Sequence, residues 1–64
     1  MIDKKFIFVN ANGHDLIIHT DTIKYVERNP NDKENSIWIW TDWAHNGYIE
    51  VDENINAFNR RLGI

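Results

Sequence analysis

Four consecutive large apolar residues, Ile37-Trp38-Ile39-Trp40, leave few folds open to this chain. In extended backbone successive side chains point to opposite sides, so a strand through these residues is apolar on both faces and needs cover on both. β-Branched and indole side chains favour a strand here over a helix. The chain offers one amphipathic helix, so one face of the resulting sheet is expected to be covered from outside the chain or left as an exposed apolar patch.

The remaining elements follow from turn chemistry. Phe6 to Val9 is a short apolar run, and Asn12-Gly13 after it supplies the positive-φ tolerance of a tight hairpin. The return strand spans Asp15 to His19, Thr20-Asp21-Thr22 breaks the pattern, and Ile23 to Arg28 forms a third strand. Ile23 and Val26 are three apart, which calls for a bulge or a brief turn at the start of that strand. Asn29 to Asn35, with the only proline, reads as a solvated connection to a fourth strand over Ser36 to Thr41. His45-Asn46-Gly47 then returns the chain as Tyr48 to Val51. Asp52 is a candidate N-cap, Ile55, Phe58 and Leu62 make an apolar stripe, Arg60 and Arg61 suit the negative helix end, and Gly63 suits its termination. The expected fold is α+β: one domain over 1–64, with an antiparallel meander of strands at about 5–10, 15–19, 23–28, 36–41 and 48–51 and one C-terminal helix at about 53–62 packed on one face.

A chain of 64 residues buries only about 60% of the surface it exposes when unfolded. It has no Cys to staple it, which makes oligomerisation a natural source of further burial and suits a reducing, cytoplasmic setting. No apolar run approaches the ~20 residues of a membrane span, and Met1 to Lys5 leads into no signal-peptide core, so a membrane partner and processing are not expected. The net charge of −3 counts against nucleic acid, because phosphate-backbone affinity comes from Lys and Arg displacing counterions.

Trp38, Trp40, Trp43 and Tyr48, with Tyr25 on the third strand, are the candidate contact residues, since rigid aromatic side chains dominate interface energetics. The alternative is that two or three of them simply form the core. Lys24 and Arg28 share one side of the third strand and are candidate charge contacts beside exposed indoles, the stacking-plus-charge arrangement that binds single-stranded nucleic acid; the same residues also suit a solvated edge strand. His14, His19 and His45 lack the paired spacing of metal ligands and read as turn residues, so neither a metal nor another cofactor is expected. Ser36 is the only serine, and the carboxylates are scattered over turns, so no nucleophile and base are juxtaposed and an enzyme is not expected.

The run from Val9 to Glu27, with its Asn-Gly turn, strand, Asn/Asp-rich break and Ile23-Lys24-Tyr25-Val26-Glu27 segment, resembles the opening of the small FlbD-like proteins. Ile37-Trp38-Ile39, the following Gly turn, the Ile49-Glu50-Val51-Asp52-Glu53 junction and the final helix extend the resemblance over nearly the whole chain. Trp43-Ala44-His45-Asn46 lengthens the fourth turn relative to that pattern, and the Trp pair is more aromatic than usual there. The resemblance implies a small bacterial or phage-borne accessory protein, and it carries over no site.

Together these features lead to a non-enzymatic interaction module that self-associates or binds a protein partner through an aromatic sheet face. The alternatives are a phage- or mobile-element inhibitor that binds a host enzyme or sequesters a small nucleotide, and a single-stranded nucleic-acid binder.

Overall fold

The computed structural model describes residues 6–63, and of 32 and 33 the backbone alone. Lys5, at the expected start of the first strand, lies outside the described residues. Five antiparallel strands form one sheet: β1 (Phe6–Ala11), β2 (His14–His19), β3 (Ile23–Asn29), β4 (Asp32–Thr41) and β5 (Tyr48–Val51). One α-helix, α1 (Ile55–Leu62), follows. Both expected Asn-Gly turns carry their glycine at positive φ, 81° at Gly13 and 88° at Gly47. The broken alternation at Ile23 resolves as both of the devices it called for, a 3-10 turn over Thr20–Thr22 and a register shift between Ile23 and Tyr25.

The strands lie in the order β2-β1-β5-β4-β3. β1 and β2 form one hairpin and β3 to β5 a three-stranded unit; the two are joined by the pairing of Ala11 with Val51. Their inner sides share one core of Ile7, Val9, Ala11, Ile18, Ile37, Ile39, Val51 and Phe58. The helix therefore takes the Ile37 and Ile39 face of β4, which parity alone left open. Phe58 is buried in that core, with Ile55 and Leu62 half-buried beside it.

Two boundaries differ from the sequence reading by more than one residue. The connection expected over 29–35 is a tight turn at Pro30-Asn31, and β4 begins at Asp32. Asn29 Oδ1 accepts the Asn31 backbone N–H at 2.8 Å, and the ring of Pro30 presets φ at the turn position, so a polar run without alternation still pairs as strand. The helix starts at Ile55 rather than 53, and its N-cap is Asn54 rather than Asp52, Asn54 Oδ1 accepting the Asn56 N–H at 2.8 Å. Glu53 is held instead by Arg61, Nε to Oε2 at 2.9 Å and Nη2 to Oε1 at 3.0 Å, a bidentate pair that fixes the strand-to-helix corner. Gly63, at φ 83°, ends the helix as expected, its N–H donating to the Arg60 carbonyl.

The turn at Gly47 presses on an aromatic side chain. A Cβ at Gly47 would lie 3.3 Å from Trp40 Cζ3, whereas one at Gly13 would meet nothing. Both glycines occupy left-handed backbone, which costs an L-residue roughly 1–2 kcal/mol. Gly47→Ala is accordingly expected to destabilise more than Gly13→Ala. Urea melts of the two variants compare them directly, and equal losses would show that Trp40 yields freely.

Candidate contact surface on the outer sheet face

Because Ile37 and Ile39 face the core, Trp38 and Trp40 face outward. The register then sets out a grid across three strands. Tyr25, Trp40 and Tyr48 form one row, since Trp40 pairs with Tyr25 on β3 and with Tyr48 on β5. Glu27, Trp38 and Glu50 form the next, since Trp38 pairs with both glutamates. α1 packs on the opposite, Ile37 and Ile39 face.

The rings of the grid stack on one another. Tyr25 and Trp40 are 5.5 Å apart between centroids at 17°, Trp38 and Tyr48 4.3 Å at 26°, and Trp40 and Tyr48 4.9 Å at 44°. Trp38 and Trp40 meet edge to face at 6.3 Å. Offset and edge-to-face contacts of this kind add about 0.5–1.5 kcal/mol each beyond area burial. The cluster is accordingly rigid although it is not core: Trp38, Trp40 and Tyr48 are half-buried and Tyr25 is mostly exposed.

Both carboxylates of the second row are fixed. Trp40 Nε1 donates to Glu27 Oε2 at 2.7 Å, a short charge-assisted bond. Glu50 Oε2 accepts from Asn29 Nδ2 at 2.8 Å and from Ser36 Oγ at 3.2 Å, with Asn29 and Ser36 themselves buried. These bonds use Oε2 of each glutamate. Between the two, the Trp38 Nε1 is buried and has no hydrogen-bond partner among the described residues.

Of the candidate contact residues, Tyr25, Trp38, Trp40 and Tyr48 come together and Trp43 does not. Trp43 lies in the irregular segment after β4, its indole N–H donating to Thr22 Oγ1 at 2.9 Å, because the chain has left the strand at Thr41 and alternation no longer sets its direction. Nor are Lys24 and Arg28 in register with Trp38 and Trp40. Lys24 sits at the register shift and pairs with Asp42, Nζ to Oδ1 at 3.2 Å. Arg28 lies opposite Ile37 and, with Tyr25, lines a groove of about 500 Å³ between β3 and α1, floored by Ile23, Val26, Ile55 and Leu62. The bulge at the start of β3 breaks the parity that put Lys24 and Arg28 on one side, and the charges beside the rings are the acidic Glu27 and Glu50.

Three exposed large apolar side chains outside the expected contact residues lie on the outer side of the β1–β2 hairpin: Phe6 at 62%, Phe8 at 52% and Ile17 at 71% exposure. Phe8 pairs with Ile17, and Phe6 with His19, whose ring it meets edge-on at 4.9 Å. Counting back from the Asn12-Gly13 turn aligns these pairs, so the signal was present in the turn. His19 Nδ1 accepts the Asp21 N–H at 3.2 Å and caps the 3-10 turn, and no group of three His, Cys, Asp or Glu side chains among the described residues is placed to hold a metal ion. None of the described helices is long and apolar enough to cross a membrane. No protein-family model, curated protein or solved structure matches the chain.

Proposed function

We propose that this chain is a small non-catalytic interaction module that uses the outer side of its sheet to contact protein chains, a second copy among them. The observation that carries this reading is the placement of the aromatic side chains: the stacked rings lie on the side of β4 and β5 turned away from the Ile37–Ile39 core, and Phe6, Phe8 and Ile17 are exposed on the β1–β2 hairpin. Exposed apolar area of this kind on a small chain marks an interaction surface. The resemblance to FlbD-like accessory proteins supports the same class, and an inhibitor of a host enzyme would use the same surface.

Charge divides the surface into two parts. Phe8 and Ile17 are uncharged and neighbour one another, so two copies related by a two-fold axis can bury this patch against itself. The ring grid holds Glu27 and Glu50, which a two-fold axis through it would set against their own copies; like charges so placed are destabilising. We therefore assign self-association to the hairpin and leave the grid for a partner of another kind. Light scattering at micromolar concentration is expected to give a mass above one chain, and Ile17→Asp to reduce it to one chain with the far-ultraviolet circular dichroism unchanged. A parent protein of single-chain mass, or an Ile17→Asp variant that stays associated, would remove the hairpin from this role.

A further inference from the structure

We infer that the outer ring grid takes an arginine-bearing protein segment, guanidinium groups stacking on its rings and pairing with Glu27 and Glu50. This rests on the reading of the outer face as a contact surface and adds the chemistry of its partner. Three observations select that chemistry. First, the ring stack ends at Tyr25, which lies on the edge strand β3, stacks on Trp40 and is 54% exposed, and an exposed ring face attracts cations through its negative quadrupole. Second, the charged groups in register with Trp38 are both carboxylates, Glu27 on β3 and Glu50 on β5, two strand spacings or about 10 Å apart. Third, each carboxylate is oriented through Oε2, Glu27 by Trp40 and Glu50 by Asn29 and Ser36, so the direction of Oε1 is set before any partner arrives.

Arginine fits better than lysine. Its planar guanidinium both stacks on an aromatic face and bonds a carboxylate through two N–H groups, and it is more weakly hydrated than an ammonium. A phosphate backbone fits worse, because Glu27 and Glu50 would repel it, Lys24 is engaged by Asp42, and Arg28 opens onto the helix side.

The test uses a short peptide of alternating glycine and arginine, which when extended directs all its arginines to one side. It is titrated into the full chain and followed by tryptophan emission, with the matched Gly-Lys and Gly-Glu peptides and oligothymidylate as comparators. The Gly-Arg peptide is expected to bind tightest and Gly-Glu not at all. Glu27→Gln and Glu50→Gln are each expected to weaken it about tenfold, the size of a lost hydrogen bond between charged groups. Glutamine keeps an amide oxygen for the Trp40 indole and for Asn29, so both variants retain the grid. Asp42→Asn, which removes a carboxylate away from the rings, is expected to leave affinity unchanged. Equal binding of the Gly-Arg and Gly-Glu peptides, tighter binding of oligothymidylate, or affinity unaltered by both Gln variants would overturn the inference. If the Gly-Arg peptide fails to bind while the parent still associates through Ile17, the cationic partner is wrong and the module stands. If the peptide binds to a chain of single-chain mass, self-association is wrong and the cationic partner stands.

Discussion

Phe58→Ala is expected to lower the free energy of unfolding by about 3–5 kcal/mol. At roughly 0.05–0.15 kcal/mol per residue, that is comparable with the whole stability of a chain this short. Phe58 is the only helix residue buried outright, 1% exposed, and it shares its core with the β4 isoleucines, which are themselves fully enclosed. The Arg61 guanidinium lies 5.6 Å from its centroid, so truncation also removes a cation–π contact worth about 0.5–1 kcal/mol. Ile55→Ala and Leu62→Ala are expected to cost less, because both side chains are half-buried. A urea melt of Phe58→Ala that coincides with that of the parent would show that α1 does not close the core.

The second large effect is expected at a polar position. Asn29→Ala should cost about 2–4 kcal/mol, since it removes a hydrogen bond to a charged group and leaves partners of a buried amide unsatisfied. Asn29 is 4% exposed and makes three bonds: Nδ2 to Glu50 Oε2 at 2.8 Å, Nδ2 to Ser36 Oγ at 3.2 Å, and Oδ1 from the Asn31 N–H at 2.8 Å. One side chain thus closes the β3–β4 turn and ties it to β5. Ser36→Ala is the comparison, because it takes away the weaker 3.2 Å bonds and leaves the Asn29–Glu50 bond and the turn in place. Thermal melts that place Asn29→Ala no lower than Ser36→Ala would mean that the turn does not depend on this network.

Much of the fold was legible because it rests on local chemistry. Asn12-Gly13 and Asn46-Gly47 require left-handed backbone wherever they are found between apolar runs, and the stripe Ile55, Phe58 and Leu62 has a single helical interpretation. The early start of β4 was not legible. The 32–35 stretch has no alternation, and what makes it a strand is a turn built by Asn29 and Pro30 together with the pairing of Asn29 with Asp32. The helix cap moved from Asp52 to Asn54 because both are competent caps and the choice is made by tertiary contacts, the Glu53–Arg61 pair and the bond from Asn54 Nδ2 to the Glu34 carbonyl. For the candidate surface, parity put Trp38 with Trp40 and Tyr48 with Glu50, but their meeting depends on register. The glutamates beside Trp38 and the exposed hairpin patch emerge only when strands are aligned, which is why Glu27, Glu50, Phe8 and Ile17 were passed over and Lys24 and Arg28 were favoured.

The seam between β1 and β5 bears on how the chain is made. Ala11 must wait for its partner Val51, far downstream, and the Phe8 carbonyl waits for Nη2 of Arg61, 53 residues downstream, to donate to it at 2.7 Å. Long-range closures of this sort come late and slow folding. A ribosome still building this protein therefore carries a hairpin whose inner residues, Ile7, Val9 and Ile18, lack the rest of their core, Ile37, Ile39, Val51 and Phe58, until those residues emerge. The nascent hairpin is accordingly expected to be a ligand for any chaperone that waits at the exit tunnel.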